Sequence, residues 1–330
     1  LWWTADALSA YLERPREQAF APDPSQRETL MDLAARTWRF FEDTVEDNGL
    51  PPDNEQLDPP IGLARRTSPT NMALYLMCCV SARELGLIDG EECIRRVETA
   101  LETLESLEKW EGQLYNWYDT RTGKPLFPRY VSAVDSGNLA AALMCCAQAI
   151  PSLGGRLHAL AAGMNLRALY DEKRELFYIG MDVESGRMSQ SRYDLLASES
   201  RLLSYAAILL GQVPARHWKA LGRAMTRTEK GAALLSWSGT MFEYLMPELL
   251  IPGCAGSLLR QSRDAVIEAQ VRAAEGTPWG VSESGYYAFD RHMAYQYRAF
   301  GLSEVALRGD SLPGPVIAPY ASLLCLRAAP

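Results

Sequence analysis

The sequence predicts an all-α domain in which roughly ten to twelve helices, paired along the chain, close into an (α/α) toroid. Long aromatic-rich loops and a few small β-hairpins complete it. Three observations lead there. Apolar residues recur at helical spacing over most of the 330 residues, while strand-like alternation is short and scattered. An open solenoid would show a repeat period of about 20–50 residues, and none is visible. No linker is long enough to split the chain, so one toroid accounts for a length above that of most compact domains.

Taken in order, residues 27–45 form the first strong helix. The stretch 48–67 holds Pro51, Pro52, Pro59 and Pro60 among aspartates and reads as a long irregular loop. Ser68 and Pro69 supply an N-cap with proline at the first helical position, opening a helix to Leu85. A helix at 90–110 follows, then a non-helical stretch to 137 and a helix at 137–150. Further helices are expected at 155–169, 191–211, 214–225, 238–250, 255–275, 284–299 and 314–327. A small strand pair fits 175–189, where Gly180 and the Ser185-Gly186 pair give turns.

Composition narrows the function. The net charge of −8, from 41 acidic against 33 basic residues, argues against a nucleic-acid partner. The three histidines lack ligand spacing to one another or to the seven cysteines, so no zinc site is expected. Cys78-Cys79 and Cys145-Cys146 fall in apolar helical runs and read as buried thiols from a reducing compartment. No apolar run reaches the roughly 18 residues of a membrane span. The opening LWWTADALSAYLERP starts without Met and carries Trp2 and Trp3, residues favoured at a membrane edge. Residues 1–26 are therefore expected to follow a membrane region of a longer chain. Phosphate-cradling loops, HExxH and the GxSxG elbow are absent.

The carboxylates are more telling. Glu199 falls in the expected 191–211 helix, within a stripe of Leu195, Leu202, Ala206 and Leu209. Burial there would raise its pKa and let it hold a proton near neutrality, as a general acid must. A buried ion pair with Arg192 or Arg201 is the structural alternative. Other carboxylates stand beside aromatics: Asp119 with Trp117 and Tyr118, Glu243 with Trp237, and Glu283 with Trp279, Tyr286 and Tyr287. Asp135 opens a helix. Aromatic faces suit pyranose rings, and carboxylate pairs break glycosidic bonds. Each has a plainer reading: Asp135 a cap, Asp119 a turn residue, Glu243 an ion-pair member, and Glu283 a loop residue between Gly280 and Gly285. His217 and His292 read as hydrogen-bonding residues of core or loops, and Arg65 and Arg66 as either structural or hydroxyl-binding.

Motifs now fall into a recognisable order: RRTSPTN (65–71), YNWYDT (115–120), VDSGNLA (134–140), YDLLASESR (193–201), VPARHW (213–218), SWSGTMFEYLMP (236–247), PWGVSES (278–284) and VIAPYAS (316–322). Together they resemble the central glucoamylase-like domain of bacterial cyclic β-1,2-glucan synthases, over nearly everything from Arg27 onward. The resemblance implies an (α/α)6 catalytic domain over 27–330 that rejoins linear β-1,2-glucan into rings with retention. It implies Glu199 as acid/base, which need not touch the glycosidic oxygen directly because related β-1,2-glucanases pass the proton through a substrate hydroxyl, and Glu283 as nucleophile. Asp135 and Glu243 would line the subsites, with Trp117, Tyr118, Asp119, Trp237, Trp279, Tyr286 and Arg66 as further sugar-binding candidates. No metal or cofactor is implied. The parent chain would join this domain to a membrane glycosyltransferase part and a phosphorylase-like part on the cytoplasmic face of the inner membrane. A β-1,2-glucanase of the same fold and a non-catalytic glucan-binding module are the alternatives.

Overall fold

The computed structural model describes residues 21–308, 316–326 and 328. The expected membrane-proximal opening, with Trp2 and Trp3, lies outside them. Ten α-helices are present among the described residues. The first, α1 (Pro24–Thr44), opens on a capping box between Asp23 and Gln26 with Pro24 at its first position. In α2 (Pro69–Glu84), Ser68 Oγ accepts from Asn71 N at 3.1 Å, the expected cap. Cys93, Val97, Ala100, Leu101 and Leu104 form the buried stripe of α3 (Gly90–Ser106), whose Glu91 and Glu92 suit the positive end of its dipole.

The centre is α4 (Ala133–Ala149), which buries residues on nearly every side and packs against α2, α5 (Gly154–Gly163) and α6 (Arg201–Leu209). Small residues make this possible. A Cβ on Gly137 would lie 2.3 Å from Leu203 Cβ and 2.4 Å from Leu203 Cα, so α4 and α6 cross at backbone contact. Asp135 sits inside the first turn of α4 and does not cap it; Ser132 is the N-cap.

Beyond α6 come three short helices, α7 (His217–Ala220), α8 (Met241–Leu245) and α10 (Pro319–Leu324), and one long one, α9 (Leu258–Ala273). Helix makes up 44% of the described residues, and seven sheets of two or three strands connect the helices among them. The fold is thus less purely helical than expected. The expected helix at 284–299 is an antiparallel hairpin, Glu283–Phe289 against Tyr295–Ala299. Its run of Tyr and Phe favours extended backbone, and tertiary pairing overrides the helical spacing. The expected irregular loop at 48–67 contains a hairpin, Asn54–Gln56 against Gly62–Ala64. The helix expected over 191–211 is present only from Arg201, so Glu199 lies on the turn that precedes it. Leu195 is therefore not helical, and Leu209 is 56% exposed, so the inward stripe does not exist as expected. Serine explains the difference: Ser198 Oγ accepts from Ser200 N (3.2 Å) and Ser200 Oγ (3.0 Å), local bonds that compete with helix.

Two apolar cores result. The larger unites α2 to α6 through residues such as Leu76, Leu101, Leu139 and Leu203. The smaller holds Leu234, Met241, Tyr244, Val266, Val305 and Ala321. The 194–203 stretch joins them, with Leu196 and Ala197 in the smaller core and Leu202 and Leu203 in the larger. Glu199 stands at this seam. All seven cysteines are free; Cys79, Cys93, Cys146 and Cys325 are buried, and Cys254 is exposed.

Replacing Gly137 by Ala should push α4 and α6 apart and cost about 1–3 kcal/mol, outweighing the helix-propensity gain of about 1 kcal/mol. Urea unfolding should show a lower midpoint; an unchanged or raised midpoint would contradict the close crossing.

Candidate active site

A cleft of about 1210 Å³ opens where the two cores meet. That exceeds the roughly 300–1,000 Å³ of small-molecule pockets and leaves room for an extended ligand. One wall comes from residues 53–71, the floor from the start of α4 and the 199 turn, and the other wall from the 283–299 hairpin and Tyr320. Gln56 clasps the walls together. Its Nε2 donates to Met293 O (2.9 Å) and Pro59 O (3.1 Å), and its Oε1 accepts from Tyr295 N (3.0 Å).

Glu199 and Glu283 both line this cleft. Glu199 accepts from Ser198 Oγ at 3.1 Å, and packed protein surrounds it except toward the cleft. Desolvation first, then the charges of Glu283 and Glu243, push its pKa from 4.5 up to about 8. Glu283 is also raised by burial, but Tyr297 opposes this by donating its hydroxyl to Oε2 at 2.5 Å. The two carboxyls share a cleft yet differ in surroundings: burial raises both, but Glu283 has a phenol donor that favours its charge.

Asp135 enters the floor. Thr70 Oγ1 donates to its Oδ1 at 2.5 Å, while Asn138 Nδ2 donates to Thr70 Oγ1 at 3.0 Å. With its amide oriented to satisfy both neighbours, Asn116 donates to Asp135 Oδ2 (3.1 Å) and accepts from Trp117 Nε1 (2.9 Å). Burial raises the pKa of Asp135 against the hydrogen bonds of Ser132 and Thr70. Arg66 stacks on Trp117, 4.5 Å from the ring centroid, and pairs with Asp53 at 3.0 Å. Trp117 and Arg66 therefore reach the cleft as one unit.

Of the other residues singled out in the sequence, Arg65 also lines the cleft, and the rest do not. Glu243 forms a capping box with Thr240, and its oxygens accept from Ser236 Oγ (2.9 Å), Thr240 N (2.9 Å) and Ser238 N (3.2 Å). Its effect on the cleft is its charge. Tyr118 is fully buried and donates to Glu108 O at 2.6 Å. Asp119 holds a turn by accepting from Arg121 N (3.1 Å) and Thr122 N (2.9 Å). Trp237 donates to Asp194 Oδ1 at 2.9 Å, Trp279 packs on the smaller core, and Tyr286 packs edge-on against Phe300. His217 is buried between Ser204 Oγ (2.8 Å) and Glu175 O (2.6 Å), as a structural histidine would be. Arg65 pairs with Glu46.

Sequence reasoning singled out none of Asp53, Thr70, Asn71, Tyr295, Tyr297 and Tyr320, all of which line the cleft. Thr70, Asn71 and Tyr320 stand inside motifs already noted, so their signal was present. Tyr295 and Tyr297 were hidden by the helical reading of 284–299.

A family model described as "Protein of unknown function (DUF3131)" matches residues 32–229, more than half of the chain. The chain belongs to the DUF3131 family. This DUF3131 chain is also homologous to part of the cyclic beta-(1,2)-glucan synthase NdvB of Rhizobium meliloti (strain 1021), at 31% identity over 98% of its length. It spans 16% of that protein. Among solved structures, the endo-beta-1,2-glucanase of Talaromyces funiculosus with sophorose superposes with a TM-score of 0.73 at 14% identity, covering 91% of this chain and 73% of the other. The Chitinophaga pinensis endo-beta-1,2-glucanase, in complex with sophorotriose and glucose, gives 0.67 at 14% identity, covering 85% and 75%. The DUF3131 chain thus has the glucoamylase and β-1,2-glucanase fold. Among its described residues, no helix is long and apolar enough to cross a membrane, and no group of three or more His, Cys, Asp or Glu could hold a metal.

The raised pKa of Glu199 carries a sign for stability. Below 4.5 the carboxyl is protonated whether folded or not; between 4.5 and about 8 only the unfolded chain gives up the proton, so folding loses stability as pH rises. Glu199→Gln removes this loss, which amounts to at most about 1.4 kcal/mol per pH unit. Urea unfolding at both ends of that window should show the variant gaining on the wild type as pH rises. A constant difference would refute the buried, proton-holding state.

Proposed function

We propose that this domain is a retaining transglycosylase that acts on linear β-1,2-glucan, cyclising or redistributing chains through a glycosyl-enzyme. What supports this is the carboxyl pair in one cleft, Glu199 with its pKa near 8 and Glu283 with a donor to its charge, on a chain homologous to a segment of a cyclic β-1,2-glucan synthase. The higher pKa makes Glu199 the acid and leaves Glu283 as nucleophile. Glu283 bonds to the anomeric carbon as the glycosidic C–O bond breaks, and the proton of Glu199 goes to the departing oxygen, directly or through a sugar hydroxyl. In the second half, an acceptor hydroxyl attacks that carbon, the ester to Glu283 breaks, and the acceptor's proton returns to Glu199. When the acceptor is the other end of the same chain, a ring forms. Asp135 and the Trp117–Arg66 pair would hold sugar along the floor and wall.

The same reading includes a single (α/α)6 catalytic domain over 27–330, with helices adjacent in sequence, such as α2 with α3 and α4 with α5, packed as its pairs. It also includes a parent chain with a membrane glycosyltransferase part and a phosphorylase-like part, placing the domain at the cytoplasmic face of the inner membrane. The likeness to endo-β-1,2-glucanases favours a second reading, hydrolysis, in which water takes the acceptor's place.

Two outcomes test these readings. Glu199→Gln should lower kcat on unactivated β-1,2-glucan at least about 100-fold with little change in glucan binding, because it keeps shape and loses the proton. Near-wild-type turnover would remove Glu199 from the reaction. In ¹⁸O-labelled water, mass spectrometry should find unlabelled rings and redistributed chains. Linear products labelled at new reducing ends, without rings, would establish hydrolysis, and an untouched substrate would leave a glucan-binding module.

A further inference from the structure

The hairpin that carries Glu283 holds more than the carboxylate. Ala299 stands directly opposite Glu283, and Gly285 directly opposite Tyr297. Side chains two residues apart on a strand share a face, so Glu283 and Tyr297 are diagonal neighbours there. The small partner at each position leaves the diagonal open. The Tyr297 hydroxyl crosses it and donates to Glu283 Oε2 at 2.5 Å, while Oε1 has no such donor from this strand. A second tyrosine acts on the main chain. Tyr320 Oη donates its one proton to Glu283 O at 2.8 Å. It must then accept from Ser282 Oγ, also at 2.8 Å, and Ser282 Oγ in turn accepts from Phe242 N at 3.0 Å. Backbone and carboxylate are thus fixed from two elements, α10 and the return strand.

We propose that Tyr297 is a positioning residue for Glu283, holding Oε2 so that Oε1 is the oxygen presented to the anomeric carbon. This rests on the transglycosylase reading only for what Oε1 attacks; the tie between the two side chains is independent of substrate. Tyr297 also acts on charge. Two effects disfavour the ionisation of Glu283: its own burial first, then the charge of Glu243 on α8. Tyr193 and Tyr320 face it as neutral phenols, with pKa values raised by burial. Tyr297 supplies the donor that opposes those effects. Its side chain is 62% exposed and outside both cores, so losing its hydroxyl should leave the fold intact.

Tyr297→Phe keeps the ring and deletes the donor. The primary measurement is the ¹³C-detected titration of glutamate carboxyls in the free protein, with the Glu283 signal assigned by its loss in Glu283→Gln. A hydrogen bond to a charged group corresponds to a shift of about one to two pH units, so the Glu283 midpoint should rise by that amount in Tyr297→Phe. A midpoint within about 0.3 unit of wild type would overturn the proposal. The second measurement is the pH profile of kcat/KM on linear β-1,2-glucan. Its acidic limb should move up by the same interval, lowering kcat/KM about 10- to 100-fold on the acid side. An unmoved limb in an active enzyme would also overturn it. A wild type silent on this glucan would count against the substrate reading, while the titration would still decide the role of Tyr297.

Discussion

The site depends on one buried cation. Arg201, 2% exposed at the start of α6, donates Nη1 to Ser198 O (3.2 Å) and Glu243 O (2.8 Å) and Nη2 to Tyr244 O. Desolvation lowers its pKa to about 10, so it remains charged in neutral solution. A guanidinium can satisfy three carbonyls at once from a rigid plane, which a lysine ammonium does less well. These bonds hold the 198 turn against α8, pinning the larger core to the smaller. The orientation of Glu199 follows from this fixed turn. The sequence placed Arg201 as a possible ion-pair partner of Glu199; its guanidinium instead serves main-chain carbonyls.

Three glutamates near one another show how surroundings assign different roles to one residue type. Glu243 is enclosed by donors from Ser236, Ser238 and Thr240, and its charge is spent on a helix cap. Glu199 is desolvated first of all, has two like charges nearby and a serine donor that opposes them only in part, so it retains its proton. Glu283 lies between, buried yet met by a phenol. No sequence rule for "Glu beside aromatics" separates these cases. What separates them is the burial that the fold imposes and the donors that it brings to each carboxylate.

Legibility in the sequence followed the range of the interactions that fix each element. The caps of α2 and the stripe of α3 depend on residues three to eight apart, and both helices lie close to where the spacing puts them. Glu199, Glu283 and Asp135 were legible as candidates because their flanking motifs are distinctive. The hairpin at 283–299 was not, since its pairing and the clasp of Gln56, more than 230 residues away, are absent from any local window. The error in the 191–211 helix was smaller in extent and larger in meaning. Two serines and a buried arginine convert its first half into the turn that carries Glu199. Tryptophans misled for another reason: Trp237 and Trp279 are structural, and tyrosines of the return strand take the places expected of them in the cleft.

The clasp of Gln56 on Met293 and Tyr295 also has a bearing on biogenesis. The helices around α4 can pack as soon as they leave the ribosome, because their partners are near in sequence. The cleft cannot. One wall is made early and the other only after some 230 further residues, so a nascent chain would carry a settled helical half beside a groove that lacks the Glu283 hairpin. The cleft is thus completed only when the last third of the domain has emerged, whatever the helical half has already reached.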